Sequence, residues 1–576
     1  MDPVDAVAAL VAAAISNAVG PDVAGDPMVR RSDRADLQCD AAPALAGKLR
    51  QNPRVIAAQI VAALPANDIV ERTEIAGAGF LNITLRTAWL AEVATRAHAD
   101  DRLGVPLAST PERVVIDYSA PNIAKEMHVG HMRSTIIGDC LARVLAWRGH
   151  TVIRQNHLGD WGTPFGMLIE HLVDLGDVAA ERELAIGETG VFYRAANKKF
   201  ETDPAFADRA RARVVALQAG DPSTLERWRT LIDLSTRYCE TVYAALDVKL
   251  VPSDICAESF YNDRLAPLVA EVDAAGRIEI SGGAGCLFPA GFTNREGGPL
   301  PLILRKSDGG YGYATTDLAA IHYRIRELRA TRLLYVVGAS QARHLSMIFT
   351  AATELGWVTP AVRVQHVAFG FVLGDDGKPL KSREGRVFKL VDLIEDAIAR
   401  ADQVLGEREN TERALEPEQR REVARMVGVG AIKYADLAND RIKDYTFDLE
   451  RMVSFRGDTA GYLQYAHARV NGVFRDRGDG AAVGPIALES PEERTLAFRL
   501  LGFATAVRAV ETTLEPHRLA AFLHDIATAF TKFYDACPVL TSTGETRASR
   551  LALTNLTGRT LGRGLDLLGI AAPDRM

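Results

Sequence analysis

The sequence predicts an α/β domain built on a parallel sheet, with a small α+β domain before it and an all-α bundle after it. At 576 residues the chain is too long for one hydrophobic core, and about three to four domains are expected. Residues 113–154 follow the order strand, loop, helix, strand, which is the βαβ unit of parallel sheets. From about residue 390 to the end, helical patterns follow one another almost without interruption.

The composition is typical of a folded globular protein. Hydrophobic residues make up 48% of the chain and charged residues 24%, which argues against disorder and against a fibrous protein. The longest apolar runs, such as Ala6 to Ile15, are shorter than the roughly 20 residues that a membrane span needs. The acidic start Met1-Asp2-Pro3 lacks the basic segment of a secretory signal. We therefore expect no membrane association and a cytoplasmic location.

Cysteine spacing and net charge narrow the functional classes. The six cysteines are scattered, with no Cys-x-x-Cys pair and no histidine cluster at metal-ligand spacing, so we expect neither a disulfide framework nor a zinc site. The formal net charge of -7 argues against a general nucleic-acid coat protein but allows a local basic groove. Residues 545–576, for example, carry five arginines against three acidic residues.

The first domain is expected to span residues 1–108. An Ala/Val-rich amphipathic pattern opens it. Two glycines, Gly77 and Gly79, then precede alternating residues up to Leu85, which predicts a turn entering a strand. A helical pattern continues to about Asp100, and a linker follows.

The α/β domain is expected over residues 109–372. A β-rich run over 113–118 leads into a polar loop, a helical pattern over 132–147 and a second strand over 151–154. A charged helical insertion is expected at about 167–250, and the sequence predicts later strands over 300–305, 332–337 and 364–372. Parallel sheets hold their ligands at the carboxyl ends of the strands, so we expect a ligand in the loop after the first strand.

The rest of the chain divides into a connective region over residues 373–435 and a helical domain over 436–576. A Gly/Asp-rich loop near 477–484 interrupts the helical patterns. No internal repeat or low-complexity tract is present in the sequence.

A pair of histidines stands at the junction between the first strand's loop and the helix that follows. His128 and His131 flank Val129-Gly130. Two imidazoles three residues apart at a helix N-terminus can line an ATP phosphate site, because the helix dipole favours anions and glycine lets the backbone approach closely. The alternative is that the histidines only cap the helix. The strand-loop-helix setting favours the phosphate site.

A second candidate segment lies about 250 residues further on, in Gly377-Lys378-Pro-Leu-Lys381-Ser382-Arg383-Glu-Gly385. Two lysines and a serine in a glycine-flanked loop can donate to a triphosphate whose negative charge grows as it reacts. Taken alone, such a short run is more typical of a solvated basic turn. Its pairing with the histidine motif favours the phosphate site.

The two motifs resemble those of a known family. The segment from Ser119 to Ser134 resembles the HIGH-motif segment of the arginyl-tRNA synthetases, and Lys378-Pro-Leu-Lys-Ser382 resembles their KMSKS loop. The resemblance extends along the chain through Gly77–Asn82, His157–Gly162, Ser307–Gly310, Tyr313–Asp317, Gln341 and Tyr462–Arg469. The family is class I, which implies a Rossmann catalytic domain, arginine and ATP as substrates with Mg²⁺ bound with ATP, and charging of the terminal ribose 2′-OH of arginine tRNA.

The resemblance also implies roles for the domains and for the two motifs. The N-terminal domain is expected to contact the tRNA elbow, the C-terminal bundle to bind the anticodon, and the protein to act as a monomer. The implied catalytic residues are His128, His131, Lys125, Lys378, Lys381 and Ser382; ATP contacts fall on His128, Gly130, His131, Lys378 and Lys381. Many relatives have a lysine either before the HIGH motif or at the first KMSKS position. This chain has both Lys125 and Lys378, and either can serve the phosphates.

The arginine pocket must pair a buried guanidinium with a carboxylate, since an unpaired buried charge is costly. Tyr313 and Asp317 lie at i and i+4 of a predicted helix start and therefore face the same way. Together with the resemblance, this assigns Asp317 to the guanidinium with Tyr313 beside it. Without the resemblance, an acid near a helix N-terminus is more often placed there for the dipole. Glu258 is a second candidate partner of the guanidinium.

Further contacts are implied by matching family positions alone. Asp117, Ser119, Asn122 and Gln341 are expected around the rest of the bound arginine; the alternatives are a turn-forming asparagine at Asn122 and a surface amide at Gln341. The expected tRNA contacts are Phe80, Asn82, Tyr462, Gln464, Tyr534 and Arg547. Two positions depart from the family pattern, Pro164 and Thr531, which puts local contacts in doubt and leaves the chemistry intact.

Two other functions fit the sequence less well. A small nucleotidyltransferase also carries a His-x-Gly-His motif, but such enzymes are short and would not explain the helical region from Lys443 to Met576. An RNA-binding relative that has lost catalysis is disfavoured because both motifs are complete.

Overall fold

The structure of the chain is a computed structural model. It describes residues 2–23, 25–123, 127–176, 189–380, 382–383, 386–387, 389–408, 415–476 and 483–576. Lys125 and Lys381 lie outside the described residues, and of Ser382 only the backbone is described.

The N-terminal region is an α+β unit built on an antiparallel sheet of order β1-β2-β4-β3. Its elements are α1 (Pro3–Val19), β1 (Val29–Arg31), β2 (Leu37–Cys39), α2 (Ala41–Leu49), α3 (Pro53–Ala62), β3 (Val70–Ala76), β4 (Phe80–Leu85) and α4 (Thr87–Ala99). Asp2 caps α1 by accepting a hydrogen bond from the Val4 N–H at 2.8 Å. The predicted turn and strand are confirmed: Gly77 and Gly79 adopt φ values of 51° and 101° between β3 and β4.

A four-stranded parallel sheet of order β11-β10-β5-β6 forms the centre of the molecule. Its strands and the helix between the first two are β5 (Arg113–Asp117), α5 (Val129–Trp147), β6 (Thr151–Gln155), β10 (Arg332–Tyr335) and β11 (Arg363–His366). The predicted βαβ unit is confirmed.

One strand prediction was wrong in its extent. Residues 364–372 do not form a single strand: the chain leaves the sheet after β11 and re-forms a strand only at β12 (Val372–Leu373). Between them, Gly370 lies against the backbone of residues 442–443, where a Cβ would approach the Ile442 carbonyl oxygen to 2.8 Å. This close approach requires glycine and bends the chain away from the sheet.

The described part of the region expected to hold a helical insertion is helical, and its first helix begins slightly before the expected start. It comprises α6 (Thr163–Leu175), α7 (Thr189–Thr202), α8 (Pro204–Gln218) and α9 (Pro222–Ala245). Pro164 lies in the first turn of α6, where proline is well tolerated because the missing N–H has no helical partner there.

A second layer covers the far side of the parallel sheet. It contains α10 (Asn262–Ala274), a small antiparallel sheet of β7 (Glu279–Ser281), β8 (Ala284–Leu287) and β9 (Leu302–Arg305), then α11 (Tyr313–Arg326) and α12 (Ala342–Glu354). The predicted strand over 300–305 corresponds to β9, which belongs to this small sheet and not to the parallel one.

The remainder is largely helical, as predicted. Its elements are β13 (Ser382–Arg383), β14 (Arg386–Val387), α13 (Leu390–Arg408), α14 (Pro417–Leu437), β15 (Tyr445–Thr446), α15 (Leu449–Met452), α16 (Ala460–Asp476), α17 (Pro491–Leu500), α18 (Phe503–Thr513), α19 (His517–Ala536) and α20 (Gly544–Leu567). Strand β15 pairs in parallel with β12, so the start of the predicted helical domain hydrogen-bonds to the segment that follows the parallel sheet.

Polar clamps join the three regions across one continuous hydrophobic core. Arg494 on α17 donates to both carboxylate oxygens of Asp36 in the N-terminal unit, at 2.7 and 2.6 Å. Glu511 on α18 accepts from Arg148 at 2.7 Å and lies 2.6 Å from the His150 ring, at the end of α5. Bidentate and charge-assisted bonds of this kind are among the stronger polar contacts in proteins. Helix α5, which carries the histidine motif, is therefore anchored at its C-terminal end by the helical bundle.

Among the residues that the structure describes, every helix is too short or too polar to cross a lipid bilayer.

Candidate active site

The loop that follows β5 has an unusual backbone. Ser119 and Ala120 adopt positive φ angles of 70° and 45°, which side-chain-bearing residues rarely do. Ser119 is held in place by the Ser134 hydroxyl, which accepts from its N–H at 2.9 Å, and by the Tyr243 hydroxyl, 2.8 Å from its own. Backbone strain that surrounding contacts hold in place is frequent at active sites. The loop thus turns sharply at the carboxyl edge of the sheet, where a ligand was expected.

His128 and His131 cap α5 reciprocally. Nδ1 of His128 accepts from the Gly130 N–H at 3.0 Å, and Nδ1 of His131 accepts from the His128 N–H at 3.2 Å. Their ring centroids are 4.1 Å apart. The capping interpretation therefore describes a real contact, but it involves only one nitrogen of each ring.

Capping through Nδ1 determines which nitrogen of each imidazole carries the proton. A neutral imidazole that accepts at Nδ1 carries its proton on Nε2, which is then a hydrogen-bond donor. Gly130 is needed for this arrangement, because a Cβ at that position would lie 2.7 Å from His128 Cε1. Capping through Nδ1 is thus compatible with donation from Nε2–H to an anion.

The described part of the lysine-bearing segment forms a tight turn between β12 and β13. The Gly374 N–H donates to the Lys378 carbonyl at 2.9 Å, and the Lys378 N–H donates to Asp376 Oδ1 at 3.1 Å. Gly377 supplies the positive φ of 70° that the turn needs. The Lys378 side chain is exposed at the tip of this turn.

The chain that follows this segment lies directly against the histidine motif. His128 and Lys389 form an antiparallel bridge, and the Leu390 N–H donates to the Met127 carbonyl at 2.9 Å. The structure therefore brings together two segments that are about 250 residues apart in the sequence.

A buried ion pair joins the histidine helix α5 to α14. Arg133 Nε lies 2.6 Å from Asp436 Oδ1, and the two side chains are 1% and 0% exposed. Arg133 also donates to the Lys443 carbonyl at 3.1 Å and packs over the ring of Tyr445 in β15. Because β15 pairs with β12, Arg133 connects the first turns of α5 to the strand that precedes Lys378.

A cavity of about 1190 Å³ opens beside this site. Its lining residues come from the insertion, from the small sheet and from the first turns of α11 and α12, and include Trp161, Glu258, Tyr313, Arg343 and His344. It is slightly larger than the usual range of ligand cavities and can hold a small molecule such as an amino acid.

Asp317 lies one helical turn after Tyr313 on α11, as predicted. Its Oδ2 is 2.6 Å from Nε2 of His344, and its side chain is 24% exposed. Tyr313 is 70% exposed, and its ring centroid is 4.9 Å from that of His344. Asp317 itself is not among the residues that line the cavity, whereas Tyr313 and His344 are.

Glu258 is a half-buried carboxylate in the same cavity. Burial raises the pKa of Glu258 to about 7, with further contributions from the negative charges of Asp160 and Asp317. Asp160 is already occupied, since it accepts from both the N–H and the hydroxyl of Ser259. A bound cation would favour the ionised form of Glu258, because its positive charge offsets the cost of burial and the nearby negative charges.

The raised pKa predicts a pH-dependent affinity for a cationic ligand. A guanidinium favours the ionised form of Glu258, so its binding is strongest above pH 7 and weakens as the pH falls through the pKa of about 7. We expect the KM for a guanidinium substrate to rise by up to about tenfold per pH unit below that pKa. The measurement is the pH profile of the KM, and Glu258→Gln should flatten it. A native profile without this slope would contradict the prediction.

The other predicted arginine contacts differ in their burial and in their partners. Asp117 is buried at the end of β5, where its Oδ2 accepts from Arg324 at 2.7 Å, so half of this carboxylate serves a structural pair. Asn122 is exposed beside Gly159, with which it forms a parallel bridge. Gln341 is exposed at the N-cap of α12 and is not among the cavity-lining residues.

The predicted tRNA contacts divide into surface and buried residues. Tyr462 and Tyr534 lie on α16 and α19, where the Tyr462 ring contacts that of His524 and the guanidinium of Arg469 lies 4.1 Å from the centroid of the Tyr534 ring. Phe80 and Arg547 are partly exposed. Thr531, one of the departures, meets the Tyr462 hydroxyl at 3.4 Å.

Two of these predictions require correction, because the side chains are not on the surface. Gln464 is 0% exposed and donates to the carbonyls of Met426 and Ala571 at 3.0 and 2.7 Å, so it joins helices inside the protein. Asn82 is 8% exposed and accepts from Gln38 at 2.9 Å across the sheet. Both amides satisfy buried polar groups, which is a structural role.

Two residues of the site were missed in the sequence. His344 contacts both Asp317 and Tyr313, and its only signal was its position three residues after Gln341. Arg133 lies within the histidine segment, and its partner Asp436 lies 303 residues away in the chain. Within the described ranges no group of three or more His, Cys, Asp or Glu residues is arranged to hold a metal ion.

Three family models match the chain in sequence order. Residues 5–85 match the arginyl tRNA synthetase N terminal domain, residues 95–449 the catalytic domain of tRNA synthetases class I (R), and residues 463–576 the DALR anticodon binding domain. Together these matches cover most of the sequence.

Individual proteins are similar over the whole length. The arginine--tRNA ligase of Thermobifida fusca is 50% identical over 579 residues, covering 100% of both chains. The crystal structure of arginyl-tRNA synthetase from Plasmodium falciparum superposes with a TM-score of 0.86 at 27% identity, covering 100% of this chain and 99% of that one. The Thermus thermophilus arginyl-tRNA synthetase gives a TM-score of 0.84 at 26% identity, covering 100% of both.

Proposed function

Because the chain belongs to the arginyl-tRNA synthetase family, we propose that its two motifs and its carboxylate cavity carry out the two steps of arginine charging. The enzyme activates arginine with ATP and joins it to tRNA. The observation that supports the residue assignment is the bridge between His128 and Lys389, which holds the histidine motif against the chain that follows the lysine-bearing segment.

In the first step an oxygen of the arginine carboxylate attacks the α-phosphorus of ATP. A bond forms between that oxygen and phosphorus, the bond to the bridging oxygen breaks, and pyrophosphate leaves. The carboxylate is already ionised at neutral pH, so no general base is needed. Catalysis then consists of positioning and charge stabilisation, supplied by Nε2–H of His128 and His131 and by the lysines Lys381 and Lys378 or Lys125. Ser382 adds a hydroxyl donor in the same loop.

In the second step a hydroxyl of the terminal tRNA ribose attacks the carbonyl carbon of arginyl-adenylate. An ester bond forms, AMP leaves with the pair of electrons from the broken mixed-anhydride bond, and the proton of the attacking hydroxyl passes to a phosphate oxygen of the departing AMP. We assign the attack to the 2′-OH, as is general in class I. The ester then carries arginine on the tRNA.

Arginine is held by its guanidinium in the cavity. Asp317 and Glu258 supply the negative charge, and Tyr313 lies beside them at the cavity wall. Asp117 ends β5, and Ser119 and Asn122 lie in the loop that follows; we assign these three residues with Gln341 to the α-ammonium and carboxylate end. The guanidinium would be desolvated here, so each carboxylate matters.

The tRNA is proposed to contact both ends of the chain. Tyr462, Tyr534 and Arg547 on the helical bundle would meet the anticodon region, and Phe80 in the N-terminal unit would meet the elbow. Aromatic side chains suit this role, because unpaired bases stack on them. We also propose that the boundary of the helical domain lies after β15, since β15 completes a sheet with β12.

The remaining assignments rest on the class of enzyme. We propose that ATP is used as its magnesium complex, because Mg²⁺ is usually bound through substrate phosphates and retained waters. A monomer acting in the cytoplasm, where tRNA is charged, is the form we propose for this chain.

Pyrophosphate exchange tests the function. Labelled pyrophosphate should enter ATP only with arginine among the twenty amino acids. We further expect this exchange to require bound tRNA, as is characteristic of the family, because tRNA held at both ends of the chain can favour the binding-competent arrangement of the site. Exchange that prefers another amino acid would overturn the proposal, whereas arginine exchange in RNase-treated enzyme would overturn only the tRNA requirement.

His131→Asn is expected to lower kcat for adenylate formation by about 10² to 10³-fold, the usual loss for one electrostatic donor. Asparagine Oδ1 can take the place of Nδ1 as the capping acceptor, but it has no counterpart of Nε2–H. The variant should therefore unfold at a temperature close to that of the native protein while its single-turnover rate falls.

The matched control is His131→Gln, which can place a donor near the position of Nε2 but cannot cap in the same way. It should retain more activity than His131→Asn and lose about 0.5–2 kcal/mol of stability with the cap. Near-native activity of the asparagine variant would reduce the two histidines to helix caps.

A further inference from the structure

His344 both lines the arginine cavity and contacts Asp317. It is in the first turn of α12, lines the cavity, and has a side chain that is 20% exposed. Its Nε2 lies 2.6 Å from Asp317 Oδ2, and its ring contacts the ring of Tyr313 with centroids 4.9 Å apart. We propose, building on the function proposed above, that His344 is a positioning residue that orients both Asp317 and Tyr313 for the guanidinium.

The contact with Asp317 constrains the carboxylate. Asp317 is attached to the surface of α11 and is 24% exposed, so an unrestrained carboxylate would sample several rotamers. A hydrogen bond from His344 Nε2–H to Oδ2 fixes the plane of the carboxylate and directs Oδ1 as an acceptor for a guanidinium N–H. Fixing the carboxylate before arginine binds reduces the entropy lost on binding.

The contact with Tyr313 has a similar effect on the phenol. Tyr313 is the first residue of α11 and is 70% exposed, so its own helix packs little against its ring. The tilted ring contact with His344, at an interplanar angle of 57°, restricts the rotation of the tyrosine side chain. One imidazole therefore joins two residues of α11 to the first turn of α12, and the two helix starts form one wall of the pocket.

Kinetics of His344 variants test this role. His344→Ala should raise the KM for arginine about tenfold to a hundredfold, the loss expected for a hydrogen bond to a charged group, and leave the KM for ATP unchanged. His344→Gln should recover much of the loss, because glutamine can place an amide N–H near the position of Nε2, whereas the shorter His344→Asn should not. If the alanine variant does not fold, the glutamine and asparagine variants supply the same comparison.

A matched control is available on the same helix as Asp317. His322 also pairs with a carboxylate, 3.6 Å from Glu271, and packs on Trp357, away from the cavity. His322→Ala should leave the KM for arginine unchanged. An equal rise in both variants would show a general effect of losing a histidine and would overturn the proposal.

A double-mutant cycle separates positioning from independent binding. If His344 acts through Asp317, adding His344→Ala to Asp317→Asn should raise the KM for arginine much less than it does in the native enzyme. Additive effects of the two substitutions on the KM for arginine would overturn the inference. So would an arginine KM of His344→Ala that is unchanged, or one that is lower, which would mark His344 as an obstacle to Asp317. If pyrophosphate exchange by the native enzyme does not prefer arginine, the result counts against the proposed function instead.

Discussion

Replacing Asp317 with asparagine is expected to raise the KM for arginine by about 10² to 10³-fold while the KM for ATP stays near its native value. Asparagine keeps the size of the side chain and one acceptor oxygen, but not its charge. The guanidinium would then enter the cavity with Glu258 as its remaining charged partner from the assigned pair, and a charge with incomplete pairing is costly to desolvate.

The two KM values are measured by pyrophosphate exchange. One series varies the arginine concentration at a fixed ATP concentration, and the other varies ATP at a fixed arginine concentration. Glu327→Gln is a suitable control, since Glu327 follows the same helix and forms a solvent-exposed pair with Arg264 at 3.3 Å. It should change neither KM, because exposed pairs contribute little. Equal effects of Asp317→Asn on both substrates, or a large fall in the unfolding temperature, would instead indicate that Asp317 is a structural acid at a helix start.

The part of the site that the sequence predicts well is local in the chain. The strand-loop-helix pattern around His128 and His131 placed both rings at the N-terminus of α5, and the i, i+4 spacing placed Asp317 on the same face as Tyr313. These predictions depend on helical periodicity and on the order of neighbouring elements, which a sequence displays directly. The extent of the insertion followed from the same kind of pattern.

Burial and long-range contacts were not predictable in this way. Asn82 and Gln464 carry amides that occur equally on surfaces and in buried hydrogen-bond networks, and only the fold shows that their partners are Gln38 and the carbonyls of Met426 and Ala571. The sequence shows that these two side chains are polar but does not show whether they are exposed to solvent.

The separation of residues in the chain also hid the function of single side chains. His344 follows Asp317 by 27 positions on another helix, and the start of α12 returns to the start of α11 only because of how the two helices pack. A histidine whose contact partner cannot be recognised in the sequence more often has a structural role. The sequence pattern alone therefore could not identify His344 as a residue of the site.

Asp436→Ala is expected to destabilise the protein by about 3–5 kcal/mol, because it leaves Arg133 as a buried charge without its carboxylate partner. The two side chains are 0% and 1% exposed, so water cannot take the place of the aspartate. Unfolding in urea, followed by near-ultraviolet circular dichroism, measures the loss. Glu422→Ala on the same helix is the matched control, since its pair with Arg425 is well exposed and should contribute less than about 1 kcal/mol.

A double variant separates stability from positioning. Arg133→Met with Asp436→Leu replaces the pair by apolar side chains and should recover most of the lost stability, because removing both charges also removes their desolvation cost. If the pair also holds the histidine helix against the strand that precedes Lys378, this stable variant should still form adenylate slowly, with kcat reduced and the KM for arginine little changed. A double variant that recovers both stability and kcat would limit Arg133 and Asp436 to a role in folding.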